Sequence, residues 1–190
     1  ILGFDKGNIL YRGYKNRVEF GTSDGRSFEI LVEGGELLSD TLINEEGEND
    51  SIIHFLLPVA RSETAKVFFL NPITKESFGT VLFKVHNLPD PSLYLGTISS
   101  GGTVSKSAIR SIKELKVKYP PEVPIQNTFG IVSWVIHSFP YSIKGSGGDL
   151  SSEAQSFLNT LSPGSQVGIT AIVRGSDGIA RQIGMSIMVE

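Results

Sequence analysis

Val18-Glu19-Phe20-Gly21-Thr22-Ser23-Asp24-Gly25-Arg26-Ser27-Phe28-Glu29-Ile30-Leu31-Val32 decides the fold class. Positions 18, 20, 28, 30 and 32 are apolar at a period of two, the pattern of half-buried strands rather than of a helix. Asp24-Gly25 between them is a strong turn signal, because glycine accepts positive φ. Two strands, residues 18–20 and 27–32, are therefore predicted as a hairpin. The same stretch matches G-x-S-x-G, but a nucleophile elbow needs a helix after its serine. The strand-like alternation of residues 26–30 favours the hairpin, so Ser23 is not expected to act as a nucleophile.

Outward from this stretch, the first half continues as short strands broken by turns. Residues 33–36 and 46–48 carry glycine turns, and residues 51–57, 65–70 and 77–85 are rich in Ile, Val and Phe. Strands at this spacing, with no helical period between them, predict a β-sandwich. Residues 86–92 hold Pro89 and Pro91 one residue apart, which disfavours helix and removes two ladder donors. This is the predicted joint, giving domains 1–88 and 89–190, both Ig-like β-sandwiches. In the second, residues 93–98, 115–119, 128–139, 166–174 and 179–189 read as strands, and Asp177-Gly178 closes the last hairpin. Its one helix is predicted over Ser152–Leu161, with Ser152 and Gln155 as a capping box. Leu150, Ala154, Phe157, Leu158 and Leu161 form its apolar stripe, and Pro163-Gly164 ends it. Residues 105–113 are a weaker helical candidate.

Composition narrows the function classes. The 190 residues include 17 Lys+Arg, 20 Asp+Glu, three His and no Cys. Without cysteine there is no disulfide framework, thiol nucleophile or Cys-based zinc site. Up to Asp90 the charge balance is −5, and from Pro91 it is +2. Neither half has the dense basic face expected for nucleic acid. No apolar run approaches the roughly 20 residues of a membrane helix. The sequence begins at Ile1 without a basic n-region, so it is read as a fragment or a mature form.

The remaining patterns are weak as chemistry. Gly96 to Thr103 differs from a P-loop by having Gly102 where the phosphate-binding lysine belongs, so a glycine turn is expected. Asn44, Glu46, Glu48 and Asp50 alternate in an acidic loop, but the glycine and the final glutamate of an EF-hand are missing. His54, His86 and His137 lack the spacing of a metal face, and His54 and His137 are expected to be buried or half-buried within strands. Arg110, Lys113, Lys116 and Lys118 concentrate positive charge, either as a solvated edge or as a contact for an acidic partner. No catalytic, cofactor or metal residues are predicted.

Three stretches carry a family resemblance. The first is Asn8-Ile9-Leu10-Tyr11-Arg12-Gly13-Tyr14-Lys15-Asn16, and Arg17 follows it. The second is Leu95-Gly96 with Gly101-Gly102-Thr103-Val104-Ser105-Lys106-Ser107. The third is Gly164-Ser165-Gln166-Val167 with Gly175-Ser176-Asp177-Gly178 and Arg181. In this order they resemble the C-terminal periplasmic domains of the GldM/PorM family of type IX secretion and gliding motility. The family's Asn-Pro after the first motif is replaced here, and its transmembrane helix and helical domain lie outside this sequence. The resemblance implies a non-enzymatic, homodimeric periplasmic component whose parent is anchored in the inner membrane. It also implies a GldL-like membrane partner and GldK/GldN-like ring partners. The rival expectation is a periplasmic or surface module that binds a small ligand or glycan through its loops, recognisable by an aromatic-lined concavity. A hydrolase ranks third.

Overall fold

In the computed structural model, residues 8–21, 25–43 and 49–190 are described. Ser23 and residues 44, 46 and 48 of the acidic stretch lie outside them; Asn49 and Asp50 open a strand. The chain divides into two compact units, one ending at Leu88 and one running from Pro89 to Glu190. The protein is mainly β, and each of its sheets draws its strands from one unit only. No helix among the described residues is long and apolar enough to cross a membrane.

The first unit contains β1 (Ile9–Tyr11), β2 (Asn16–Val18), β3 (Glu29–Glu33), β4 (Gly35–Ile43), β5 (Asn49–Pro58), β6 (Thr64–Leu70) and β7 (Ser77–His86). They form a sheet of order β1-β7-β6-β3 and another of order β2-β5-β4. All neighbours are antiparallel except β1 and β7, which run parallel. Alternation along β6 buries Ala65, Val67 and Phe69, and β7 adds Phe83 and Val85. These join Val18 and Leu56 of the other sheet in one core, the layering of a β-sandwich. Phe69 lies edge-on to Phe20 and Phe28, with ring centroids 5.9 and 5.3 Å apart.

The predicted hairpin at Asp24-Gly25 does not form. β2 pairs with β5 and β3 pairs with β6, so the segment crosses from one sheet to the other. Gly25 does adopt φ +68°. The dipeptide signals a local reversal that glycine permits, whereas the strand partner is set by which face each strand must bury.

The second unit contains β8 (Ser92–Leu95), β9 (Thr103–Val104), α1 (Lys106–Ile109), β10 (Leu115–Lys118), β11 (Gly130–Ser138), β12 (Tyr141–Gly145), α2 (Ser152–Thr160), β13 (Gln166–Arg174) and β14 (Ala180–Val189). Its sheets have the orders β12-β11-β13-β14-β9 and β10-β8. Strict alternation buries Val167, Ile169, Ala171 and Val173 of β13 and Ile183, Met185, Ile187 and Val189 of β14. β8 packs against β14, and α2 packs against β12. The opposite face of the five-stranded sheet, including Gln182, Gly184, Ser186 and Met188, is exposed. The weaker helical candidate at residues 105–113 forms one short helix, α1, over Lys106–Ile109.

The capping box expected at Ser152 and Gln155 does not form, and the cap lies one residue earlier. Ser151 Oγ accepts from the Ala154 amide at 3.2 Å, while Gln155 Nε2 donates to the Leu150 carbonyl at 2.9 Å instead of accepting from a cap amide. With this cap Ala154 and Leu158 are buried. Phe157 is only half-buried, which corrects its place in the core. Leu158→Ala is therefore expected to cost about 2–5 kcal/mol, and Phe157→Ala distinctly less. Urea unfolding of both variants checks this, and a larger loss for Phe157→Ala would reverse the assignment.

Candidate functional site

The four predicted contact cations lie between α1 and the end of β10, and all are exposed. Arg110 caps α1, and the Lys113 carbonyl accepts from the Leu150 amide at 2.8 Å. Strand alternation turns Leu115 inward and places Lys116 and Lys118 together on the outer side of β10. Their side chains are already engaged. Lys116 Nζ is 2.7 Å from Glu114 Oε1, and Lys118 Nζ sits 4.9 Å from the centroid of the Tyr94 ring. An exposed pair of this kind contributes about 0–1 kcal/mol, so an incoming carboxylate can displace it at little cost.

The residues of the three resemblance stretches take architectural positions. Asn16 is buried at the start of β2. Its Oδ1 accepts from the Tyr11 amide at 2.8 Å. Its Nδ2 donates to the carbonyls of Tyr11, Tyr14 and Leu56 at 2.9, 2.8 and 3.1 Å. Gly13, at φ +63°, makes the tight reversal between Tyr11 and Asn16. One amide side chain thus closes the turn from β1 to β2 and ties it to β5.

The second stretch builds the far edge of the five-stranded sheet. Gly101 donates to the Ser186 carbonyl at 2.7 Å, and the Gly102 carbonyl accepts from the Met188 amide at 3.1 Å. A Cβ at Gly102 would lie 3.1 Å from both Ile98 Cγ2 and the Ser99 carbonyl oxygen. β9 then runs parallel to the end of β14. Ser105 caps α1 through the Ala108 amide at 3.2 Å and lies 3.0 Å from Ser107 Oγ, while the Lys106 amide donates to the Glu190 carbonyl at 3.1 Å. The stretch opens the short helix α1 within the weaker helical candidate, because Ser105 supplies the cap.

The third stretch makes the most buried polar cluster of the unit. The Asp177 side chain is wholly buried, and the Arg181 side chain is 6% exposed. Arg181 donates through Nη1 to Asp177 Oδ1 and to the Ile179 carbonyl, both at 3.0 Å, and through Nη2 to Asp177 Oδ2. Its Nε lies 3.2 Å from Asp90 Oδ1, and the guanidinium faces the Phe129 ring at 5.9 Å. Phe129 meets Tyr119 edge-on at 5.3 Å, and Tyr119 donates to the Pro89 carbonyl at 2.8 Å. Hydrogen bonding to Asp177 pushes the Arg181 pKa further up against the opposing effect of burial, with Coulombic help from Asp177 and Asp90. A cation whose folded pKa is raised contributes below its unfolded value and loses that contribution only as pH rises past the folded one. Arg181 therefore stays charged across the neutral range.

No protein-family model matches the chain, and no curated protein matches it.

The histidines divide. His54 is half-buried, with Nδ1 2.9 Å from Ser39 Oγ and its ring 5.8 Å from Phe20. His86 is exposed at the end of β7. His137 corrects the expectation: it lies on the outward face of β11 and is exposed. Its ring covers Gly168 of β13, where a Cβ would come within 2.2 Å of Nε2. Among the described residues, no three His, Asp or Glu side chains gather where a metal ion could sit.

Proposed function

We propose that the chain is a non-enzymatic structural component of a type IX secretion and gliding-motility machine, the periplasmic portion of a GldM/PorM-like protein. In this reading it makes protein–protein contacts and transmits force to a periplasmic ring. The observation that carries it is the use the fold makes of the three resemblance stretches. Each organises the backbone at a different strand junction: Asn16 between β1 and β2, Gly101–Ser105 along β9, and Asp177–Arg181 before β14. A chain that shares these residues with that family is expected to share the turns they build. The first unit adds support through its strand order. β2-β5-β4 and β7-β6-β3 correspond to the B-E-D and G-F-C strands of an immunoglobulin-type sandwich, with β1 placed beside the last strand. The second unit has a different order, so this comparison rests on the first.

The partners proposed are a second copy of the chain, GldK- and GldN-like ring proteins and, through the membrane-anchored parent, a GldL-like protein. Arg110 and Lys113 are the first candidate contacts, since Lys116 and Lys118 already have neighbours within the chain. Binding of the purified chain to GldK/GldN-like proteins at two salt concentrations tests the reading. Arg110→Glu with Lys113→Glu is expected to slow association about 10-fold at low salt and to flatten its salt dependence. Unchanged rates would remove the patch, and no binding by the intact chain would overturn the assignment.

A further inference from the structure

The exposed face of the five-stranded sheet carries a trough of about 400 Å³, within the range of small-ligand sites. Its lining includes His137, Phe139, Gln166, Thr170 and Ser186. Gly168 and Gly184 also line it, on the neighbouring strands β13 and β14, Gly168 opposite Ser186 and Gly184 opposite Thr170. These glycines have different effects. Gly168 makes room for the His137 ring, whereas a Cβ at Gly184 would meet nothing closer than the Ile169 carbonyl oxygen at 3.4 Å. The space above Gly184 is therefore open to a ligand.

We infer that this trough binds a neutral saccharide, one pyranose ring lying against Phe139 with its hydroxyls on the surrounding polar groups. Three observations lead there. Phe139, at the tip of the β11–β12 turn, is 98% exposed, and Tyr141 in the same turn is 70% exposed. Single exposed apolar residues are ordinary, but an aromatic at the rim of a trough that mixes apolar and polar groups offers a flat face for the C–H side of a sugar. Among the described residues, no lysine, arginine, aspartate or glutamate lines the trough, so its chemistry does not select a charged ligand. Gln166, Thr170 and Ser186 offer both donors and acceptors, which sugar hydroxyls need. The site lies on a sheet face rather than on the loops where the residue pattern had suggested one, and it does not depend on the secretion reading.

The test is titration of the intact chain with neutral cello-, manno- and chito-hexaose, followed by NMR shifts of the trough residues and by calorimetry. At least one of the three is expected to bind and to perturb Gly168, Thr170 and Gly184. Phe139→Ala, which removes an exposed ring and leaves the core intact, is expected to weaken binding about 3- to 10-fold. Gly184→Val is expected to fill the trough and abolish binding while keeping the fold, because the position is an ordinary strand residue with room for a side chain. Circular dichroism and the fluorescence of Trp134 check that both variants remain folded. Absence of binding by all three sugars, or binding that survives both substitutions, would overturn the inference. Phe139→Ala that loses a ring-protein contact while no sugar perturbs the trough would assign this face to a protein partner and overturn it equally.

Discussion

Asp177→Ala is expected to destabilise the second unit by about 3–5 kcal/mol, because it leaves the Arg181 guanidinium buried without its counter-charge. Arg181 is 6% exposed, and Asp177 takes two of its donors. Asp90, the other acid beside it, is 74% exposed and sits in high dielectric, where it compensates weakly. The substitution also frees the Ile179 amide, which donates to Asp177 Oδ1 at 3.1 Å. The loss should extend beyond the hairpin, since Arg181 leans on Phe129 and Phe129 on Tyr119. Trp134 is the only tryptophan of the chain and belongs to this unit, so its fluorescence in a urea titration reports the unit directly. Adding Arg181→Met to Asp177→Ala is expected to recover part of the loss, because no charge is then left buried alone. A single variant costing under about 1 kcal/mol would show that water reaches the guanidinium and that the cluster is not a closed pair.

Trp134→Ala is expected to cost about 3–5 kcal/mol by opening a cavity in the second core. The indole is 2% exposed and lies across β12 at Gly145, where a Cβ would come within 2.1 Å of its Cζ2. The ring thus occupies the space that glycine leaves, and Gly145→Ala is expected to displace it at about 1–3 kcal/mol. Trp134 Nε1 is buried and has no hydrogen-bond partner among the described residues. Trp134→Phe should accordingly be much milder than Trp134→Ala, since it removes an unpaired donor while keeping most of the ring. Circular dichroism during urea unfolding measures all three. Equal costs for the Phe and Ala variants would mean that the indole N–H is satisfied and the packing account is wrong.

Much of the fold was legible because strand alternation is a local property. β13 and the body of β14 stand where the period of two put them, and so does most of β6 and β7. The polar-to-apolar rhythm there is regular, and one face is buried throughout. Short strands such as β1, β2 and β9 left no comparable signal, since two or three residues cannot display a period. The helix was found and its cap missed by one residue: the Ser-x-x-Gln spacing pointed to Ser152, whereas Ser151 caps the Ala154 amide and Gln155 reaches the Leu150 carbonyl.

The sequence by itself determined a mainly β chain, an α2 stopped by Pro163-Gly164, and motif residues with demanding backbone roles. Only the tertiary structure decided which strands pair, so β2 and β3, expected as a hairpin, lie in different sheets. It likewise decided that Arg181 would be buried with Asp177, and that His137, Gly168 and Gly184 would meet on one open face. The physical reason is the same in each case. Turn and strand propensities act over a few neighbouring residues. Register and burial depend on which distant face completes the core, so His137, Gly168 and Gly184 become neighbours only once the sheet has closed.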